Sequence, residues 1–233
     1  MIVAADGAGL RLVTQPDHAV LAAEILRLWR SDGLPRHPRR DDLLFAVREH
    51  DNGWREADAA PRTDPATGRP LDFRSLPLPD RREVWDRGTA RFAASRPYAA
   101  LLIAEHARAV HRERRGSPEW DDLLDLLDRR RADLLESTGA PLSMISEDYK
   151  FLEIADGLSL FACGGTAGPL EVRGVRAALA GPELRLEPFP LAGTTVFRVP
   201  CRRLPDRAYA GDADLGGALA AARWEELEVR LAP

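Results

Sequence analysis

The hydrophobic pattern changes near Gly168, and this change constrains the fold more than any other feature of the sequence. Between residues 14 and 165, apolar side chains recur three or four residues apart, which is the spacing of amphipathic helices. Residues 1–13 and 170–233 instead contain short alternating runs bounded by glycine or proline, which are typical of strands. The sequence therefore predicts one mainly α-helical domain over residues 1–233. A small antiparallel β-sheet, formed from an N-terminal hairpin and C-terminal strands, would pack on the helical body.

The composition argues against several classes of protein. The chain has 233 residues, of which 45% are hydrophobic and 30% are charged, and its formal net charge is −4. A general nucleic-acid binder needs excess basic charge to neutralise phosphates, so no nucleic-acid partner is expected. No apolar run approaches the length of a membrane span, and the N-terminus does not resemble a signal peptide. With only Cys163 and Cys201 as cysteines, we expect a cytoplasmic protein with unreactive thiols, and a homodimer is compatible with this composition.

Three of the five histidines fall on the apolar faces of predicted helices. His18, His50 and His106 each stand three or four residues from an apolar residue of the same helix, which places them on the buried side. By the same spacing Asp51 and Asp156 lie near buried faces. A buried carboxylate or imidazole needs a partner. Each residue can be a hydrogen-bonded core residue, or the set can share a metal ion, and the spacing alone leaves both interpretations open.

A metal site would account for these residue types. Imidazole and carboxylate ligands without thiolate suit a divalent ion of several identities, namely Mn, Fe, Ni, Co, Mg or Zn. His50 and Asp51 are adjacent, and neighbouring side chains on a helix diverge by about 100°. They can reach one ion only near a helix end, and Asn52-Gly53 predicts such an end, with Gly53 suited to a left-handed conformation.

Four short segments carry a resemblance to a known superfamily. They are residues 15–18 (QPDH), 49–54 (EHDNGW), 68–73 (GRPLDF) and 155–160 (ADGLSL). The order of histidine, His-Asp pair and late aspartate resembles the HD superfamily of metal-dependent phosphohydrolases, and the whole set resembles an uncharacterised bacterial family of HD-like proteins over almost the entire chain. The resemblance implies an HD-like helical bundle in which the metal ligands are His18, His50, Asp51 and Asp156.

Further roles are predicted around these ligands. His106 matches the place of extra histidines in some HD enzymes, and with Asp51 it is the predicted catalytic residue, able to protonate a leaving oxygen. Substrate contacts are predicted for Trp54, Arg55, Asp72, Arg74 and Lys150, and Arg69 is a further cation of the same loop. Gln15 and Asp17 are predicted to orient His18, although Asp17 can equally cap the helix. Asp148 is a weaker alternative to Asp156, and His37 and His111 are expected to lie outside the site, His111 because it is about 140° from His106 on a helix.

The resemblance implies hydrolysis of a phosphate ester of a small molecule or nucleotide through a metal-bound water. Two other functions are compatible with the same residues. One is a non-catalytic sensor that binds a metal or ligand, and the other is a di-iron oxygenase of the HD fold. The single candidate second histidine, His111, speaks against two metals.

Overall fold

The structure is a computed structural model that describes residues 1–164, 168–180 and 183–233. Its helices are α1 (Gln15–Arg27), α2 (Arg40–Glu49), α3 (Arg55–Ala59), α4 (Leu78–Ala90), α5 (Pro97–Ala109), α6 (Pro118–Thr138), α7 (Leu142–Ala162) and α8 (Asp212–Ala221). Short 3-10 turns occupy Leu34–Arg36, Asn52–Trp54, Phe73–Ser75 and Arg112–Arg114. None of the helices in the described ranges combines the length and apolar character needed to cross a membrane.

The strands form one curled sheet that resembles half of a barrel. They are β1 (Ile2–Asp6), β2 (Gly9–Val13), β3 (Leu170–Val172), β4 (Val175–Ala180), β5 (Glu183–Glu187), β6 (Thr195–Pro205) and β7 (Trp224–Ala232). Their spatial order is β1-β2-β6-β7-β5-β4-β3. Neighbouring strands are antiparallel except β5 and β7, which are parallel.

This sheet corrects the predicted fold class. The prediction of a mainly α-helical bundle with a small antiparallel sheet is wrong, because seven strands form a mixed sheet, and for the same reason the fold cannot be classed as all-alpha. The hairpin of β3 and β4 was not predicted, since these strands are short and β4 is rich in alanine. The parallel pairing of β5 with β7 joins segments about 45 residues apart, and alternation within a strand carries no information about such a partner.

The main core lies between the helices and one face of the sheet. Fully buried side chains of α1, α5 and α7 pack there with strand residues such as Val199 and Leu231. A second cluster joins α8 to β1, β2 and β6 through Leu215 and Leu219. The thiols of Cys163 and Cys201 are unpaired and buried, and burial raises the pKa of Cys163 to about 12. The fold therefore fixes α1, α2, α5 and α7 against one another, which positions the predicted site.

Candidate metal centre

Three helices and the end of a fourth deliver the five predicted side chains to one place. His18 lies in α1, His106 in α5 and Asp156 in α7, while His50 and Asp51 follow the last turn of α2. His18 and His50 are 0% exposed, and Asp51 and His106 are also buried. The backbone leaves α-helical geometry at Asp51, where the 3-10 turn begins. Because of this change the adjacent side chains of His50 and Asp51 can face the same point.

The ligand atoms of these residues converge. The Nε2 atom of His18 lies 2.8 Å from Oδ2 of Asp51 and 4.0 Å from Oδ1 of Asp156. The Nε2 atom of His50 lies 3.6 Å and 3.3 Å from the same two oxygens. His106 is more peripheral, with Nε2 3.9 Å from Oδ2 of Asp156. The site thus contains two overlapping groups with the spacing of metal ligands, one of His18, His50 and Asp51 and one of His50, His106 and Asp156.

Hydrogen bonds at the far side of each ring define where the protons lie. The Ser159 hydroxyl donates to the backbone carbonyl of Asp156 (3.0 Å), so it accepts from Nδ1 of His18 (2.9 Å). The Nδ1 atom of His50 donates to the carbonyl oxygen of Val47 (2.7 Å). In the neutral form both rings therefore present an Nε2 lone pair toward the carboxylates. Nitrogen lone pairs and carboxylate oxygens repel one another at these distances unless a cation lies between them. That cation can be a proton or a metal ion.

Burial and neighbouring charges shift the pKa values of the two carboxylates and of His50 and His106. Burial disfavours the ionised carboxylates, but the neighbouring histidines outweigh it and hold the pKa values of Asp51 and Asp156 below the usual range. Burial also disfavours protonation of His50, yet the two carboxylates raise its pKa to about 9. In contrast, burial lowers the pKa of His106 to about 4. His106 is therefore a neutral imidazole at pH 7, which suits a ligand or a hydrogen-bond donor.

These shifts predict how the stability of the metal-free protein depends on pH. Below pH 6.5, the ordinary pKa of histidine, the unfolded chain binds protons on His106 and on His111, whose pKa burial lowers to about 3. Stability therefore falls on acidification. Above pH 6.5 the folded state still holds a proton on His50 until about pH 9, so stability also falls as the pH rises. Urea unfolding in the presence of a chelator is expected to show maximal stability near pH 6.5.

The variant His50→Gln provides the control for this profile, because it removes the group responsible for the alkaline limb. We expect its unfolding free energy to be flatter than that of the wild type above neutral pH. A wild-type protein that becomes steadily more stable between neutral pH and pH 9 would contradict the assignment.

The turn that carries Asp51 is fixed by a close backbone contact. The Asn52 amide donates to the carbonyl oxygens of Glu49 (2.7 Å) and Gly88 (3.0 Å). Gly53 does not have the left-handed conformation that the sequence suggested. It is instead required by space, because a Cβ atom there would lie 2.0 Å from the carbonyl oxygen of Val84 in α4.

The centre opens into a cleft of ≈ 380 Å³. Asp51, His106 and Asp156 line it, whereas His18 and His50 lie behind them. Of the predicted surrounding residues, Gln15, Trp54 and Arg74 line the same cleft. Gln15 is buried and its Oε1 atom has no hydrogen-bond partner in the structure.

The other predicted contacts lie elsewhere. Lys150 packs on the ring of Phe151 (4.8 Å), Arg55 pairs with Glu49 (2.5 Å) and Arg69 pairs with Asp206. Asp72 caps the turn Phe73–Ser75, and Asp17 forms a capping pair with Thr14. Each of these side chains thus contacts a neighbouring residue and has a local structural role in the structure. Ser159 is the orienting partner of His18 that sequence reasoning missed, although it stands in the ADGLSL segment.

The structure also shows where Asp148, His37 and His111 lie relative to the site. Asp148 is buried and accepts hydrogen bonds from Arg39 (2.8 Å) and Tyr98, and it lies 3.1 Å from Nε2 of His37. It therefore belongs to a separate ion-pair cluster, and His37 is not an exposed loop residue. His111 lines the cleft, contrary to the expectation that it lies outside the site. Helix α5 ends at Ala109, so the helical angle used for that expectation does not apply.

Comparison with known proteins gives a family but no function. No curated protein and no solved structure matches the chain. The resemblance to the HD superfamily therefore stays a prediction from the motifs. A family model described as "Protein of unknown function (DUF3891)" matches residues 1–206, and the chain belongs to that family.

Proposed function

We propose that this protein is a metal-dependent hydrolase of phosphate esters. The observation that carries the proposal is the pairing of two buried imidazole nitrogens, on His18 and His50, with the buried carboxylate of Asp51 and the partly buried carboxylate of Asp156. Buried charges in proteins are generally paired or bound to metals. These four groups, contributed by α1, the end of α2 and α7, have the spacing of metal ligands beside a cleft.

The residues fit a divalent metal by two further criteria. The Nε2 atom of His50 is buried and has no hydrogen-bond partner, as expected for an atom that awaits a ligand. The outer nitrogens of His18 and His50 are held by Ser159 and by a backbone carbonyl, which is how metal-binding imidazoles are oriented. Nitrogen and oxygen donors without thiolate suit Mn, Fe, Ni, Co, Mg or Zn.

When bound, such a metal supplies Lewis acidity toward a phosphoryl oxygen and lowers the pKa of a coordinated water. The chain's own residues supply the surroundings. His18, His50, Asp51 and Asp156 would hold the ion, and the cleft gives a substrate access to Asp51 and Asp156. Trp54 and Trp85 form apolar walls that limit the water around the reacting group.

His106 is the residue best placed to act on the substrate. It lines the cleft and its Nδ1 atom lies 3.3 Å from the Tyr149 hydroxyl. Donation by that hydroxyl leaves the His106 proton on Nε2, on the side of Asp156. We therefore assign the Nε2–H group of His106 to donate a hydrogen bond to a substrate oxygen.

The variant His106→Gln tests this assignment. We expect it to retain the metal and to lose turnover by about 100-fold or more, the usual range for loss of a hydrogen-bond donor to the charge that develops in the transition state. Metal analysis and steady-state kinetics on the same preparation separate the two effects. His37→Gln is the matched control, since His37 belongs to the Asp148 cluster. Loss of the metal from His106→Gln would instead identify His106 as a ligand.

The proposed function is tested by turnover of a phosphate-ester panel. Mono- and diesters of p-nitrophenol and common nucleotides are incubated with protein that has been stripped by chelation and reloaded with each candidate metal. Metal-dependent release of phosphate or nitrophenol supports the hydrolase. Bound metal without turnover of any ester would favour a sensor, and two irons per chain would favour an oxygenase, so either result would overturn the proposal.

A further inference from the structure

The end of the cleft beyond His106 is formed by two arginines and two indoles. Arg81 in α4 and Arg114 in the turn Arg112–Arg114 both lie over the ring of Trp120, with their guanidinium carbons 5.4 Å and 5.3 Å from its centroid. Trp85 is 5% exposed and connects this end to the metal centre. Its ring centroid is 6.2 Å from that of His106 and 5.5 Å from that of His111.

Among the described residues, neither Arg81 nor Arg114 forms an ion pair with a carboxylate. Nearby Arg87, Arg108 and Arg115, in contrast, are all paired. One nitrogen of Arg81 donates to the backbone carbonyls of Phe73, Arg74 and Leu76, which fixes the guanidinium in place. Burial and the proximity of Arg114 lower the pKa of Arg81, which indicates that the two positive charges lie close together.

Several buried polar atoms at this end also have no hydrogen-bond partner. They are Nε1 of Trp85, Nε2 of His111 and Nε of Arg81. The Trp85 and Arg81 atoms can only donate, and His111 can donate in one of its neutral tautomers. Trp85 and His111 are both more than nine-tenths buried. In the described parts of the chain, hydrogen-bond donors without acceptors thus lie beside two arginines without ion pairs. Such a site is suited to bind an anion that accepts hydrogen bonds.

We propose that Arg81, Arg114, Trp85 and His111 form a subsite that binds a phosphoryl group of the substrate. Planar guanidinium groups match the oxygens of a phosphoryl group, and the indole N–H adds a neutral donor. Because Trp85 contacts His106, a group bound here lies beside the metal centre. The choice of a phosphoryl group over other oxyanions rests on the proposed function. The inference of an anion site rests only on the donors that have no hydrogen-bond partner.

The subsite is tested by titrating inorganic phosphate and pyrophosphate into metal-free and metal-loaded protein, followed by calorimetry and tryptophan fluorescence. Arg114→Gln is expected to weaken binding by at least about tenfold in both forms, as for loss of a hydrogen-bonded charge. Arg81→Lys tests the second cation while keeping its charge, and it is also expected to weaken binding, because an ammonium lacks the planar fork. Arg112→Gln is the matched control, since Arg112 lies in the same turn, is 66% exposed and pairs with Glu113.

The outcomes separate this inference from the proposed function. Phosphate binding that depends on Arg114 but persists in metal-free protein supports the subsite even if no ester is hydrolysed. Equal binding by wild type, Arg114→Gln and Arg81→Lys would overturn the subsite even if the protein is a hydrolase. Tighter binding of acetate or citrate than of phosphate would overturn the phosphoryl assignment.

Discussion

Replacing Asp51 with asparagine is expected to abolish metal binding and metal-dependent hydrolysis. The carboxylate lies 2.8 Å from Nε2 of His18 and 3.6 Å from Nε2 of His50, so it is close to both imidazoles. An amide has nearly the same shape but lacks the charge that attracts a divalent cation. Since loss of groups that merely orient ligands costs about 10–100-fold in metal affinity, we expect a larger loss for Asp51→Asn.

Elemental analysis of bound metal and turnover of a phosphate ester measure this effect. The matched control is Asp148→Asn, because Asp148 is equally buried but is held by Arg39 and Tyr98. We expect this variant to be less stable than the wild type but to keep its metal. Retention of metal at wild-type stoichiometry by Asp51→Asn would remove Asp51 from the ligand set.

Replacing Gly53 with alanine is expected to destabilise the protein by about 3 kcal/mol. This value is the upper end of the usual cost of inserting a methyl group into a packed interior. The new Cβ would lie 2.0 Å from the carbonyl oxygen of Val84 and 2.9 Å from the backbone nitrogen of Gly88. Both contacts are to backbone, so no side-chain rotation relieves them. The turn must move away from α4, and Asp51 at its start moves with it.

Chemical unfolding and metal affinity test this second prediction together. Gly217→Ala in α8 is the control, since nothing lies within 4 Å of a Cβ there. Alanine in an exposed helix is expected to stabilise by about 0.5–1 kcal/mol relative to glycine. If Gly53→Ala unfolds at the same denaturant concentration as the wild type, the contact with α4 does not fix the turn.

The inward placement of the site histidines was predictable because it depends on local spacing. His18, His50 and His106 stand three or four residues from apolar neighbours in their own helices, and burial follows from that pattern once the helices pack. The same reasoning misplaced His111, because it assumed that α5 continues past Ala109. A single helix boundary thus decided whether His111 belongs to the site.

Other features depend on contacts between distant segments. Arg81 and Arg114 are 33 positions apart in the sequence, and only the packing of α4 beside the turn Arg112–Arg114 brings both to Trp120. Lys150 had the charge expected of a phosphate ligand, but its position on α7 places it on Phe151. The charge of a residue alone does not indicate whether it lines the cleft. The pairing of β5 with β7 also joins distant segments, so it could not be predicted from local sequence.

The metal content of tag-free wild-type protein tests the central claim most directly. Elemental analysis after purification, and again after reconstitution with each candidate divalent ion, is expected to show about one tightly bound metal per chain, because the two overlapping ligand groups share His50. The same measurement on Asp51→Asn should show none. A wild-type protein that binds no metal under any of these conditions would contradict the account and leave the five converging side chains as a hydrogen-bonded cluster.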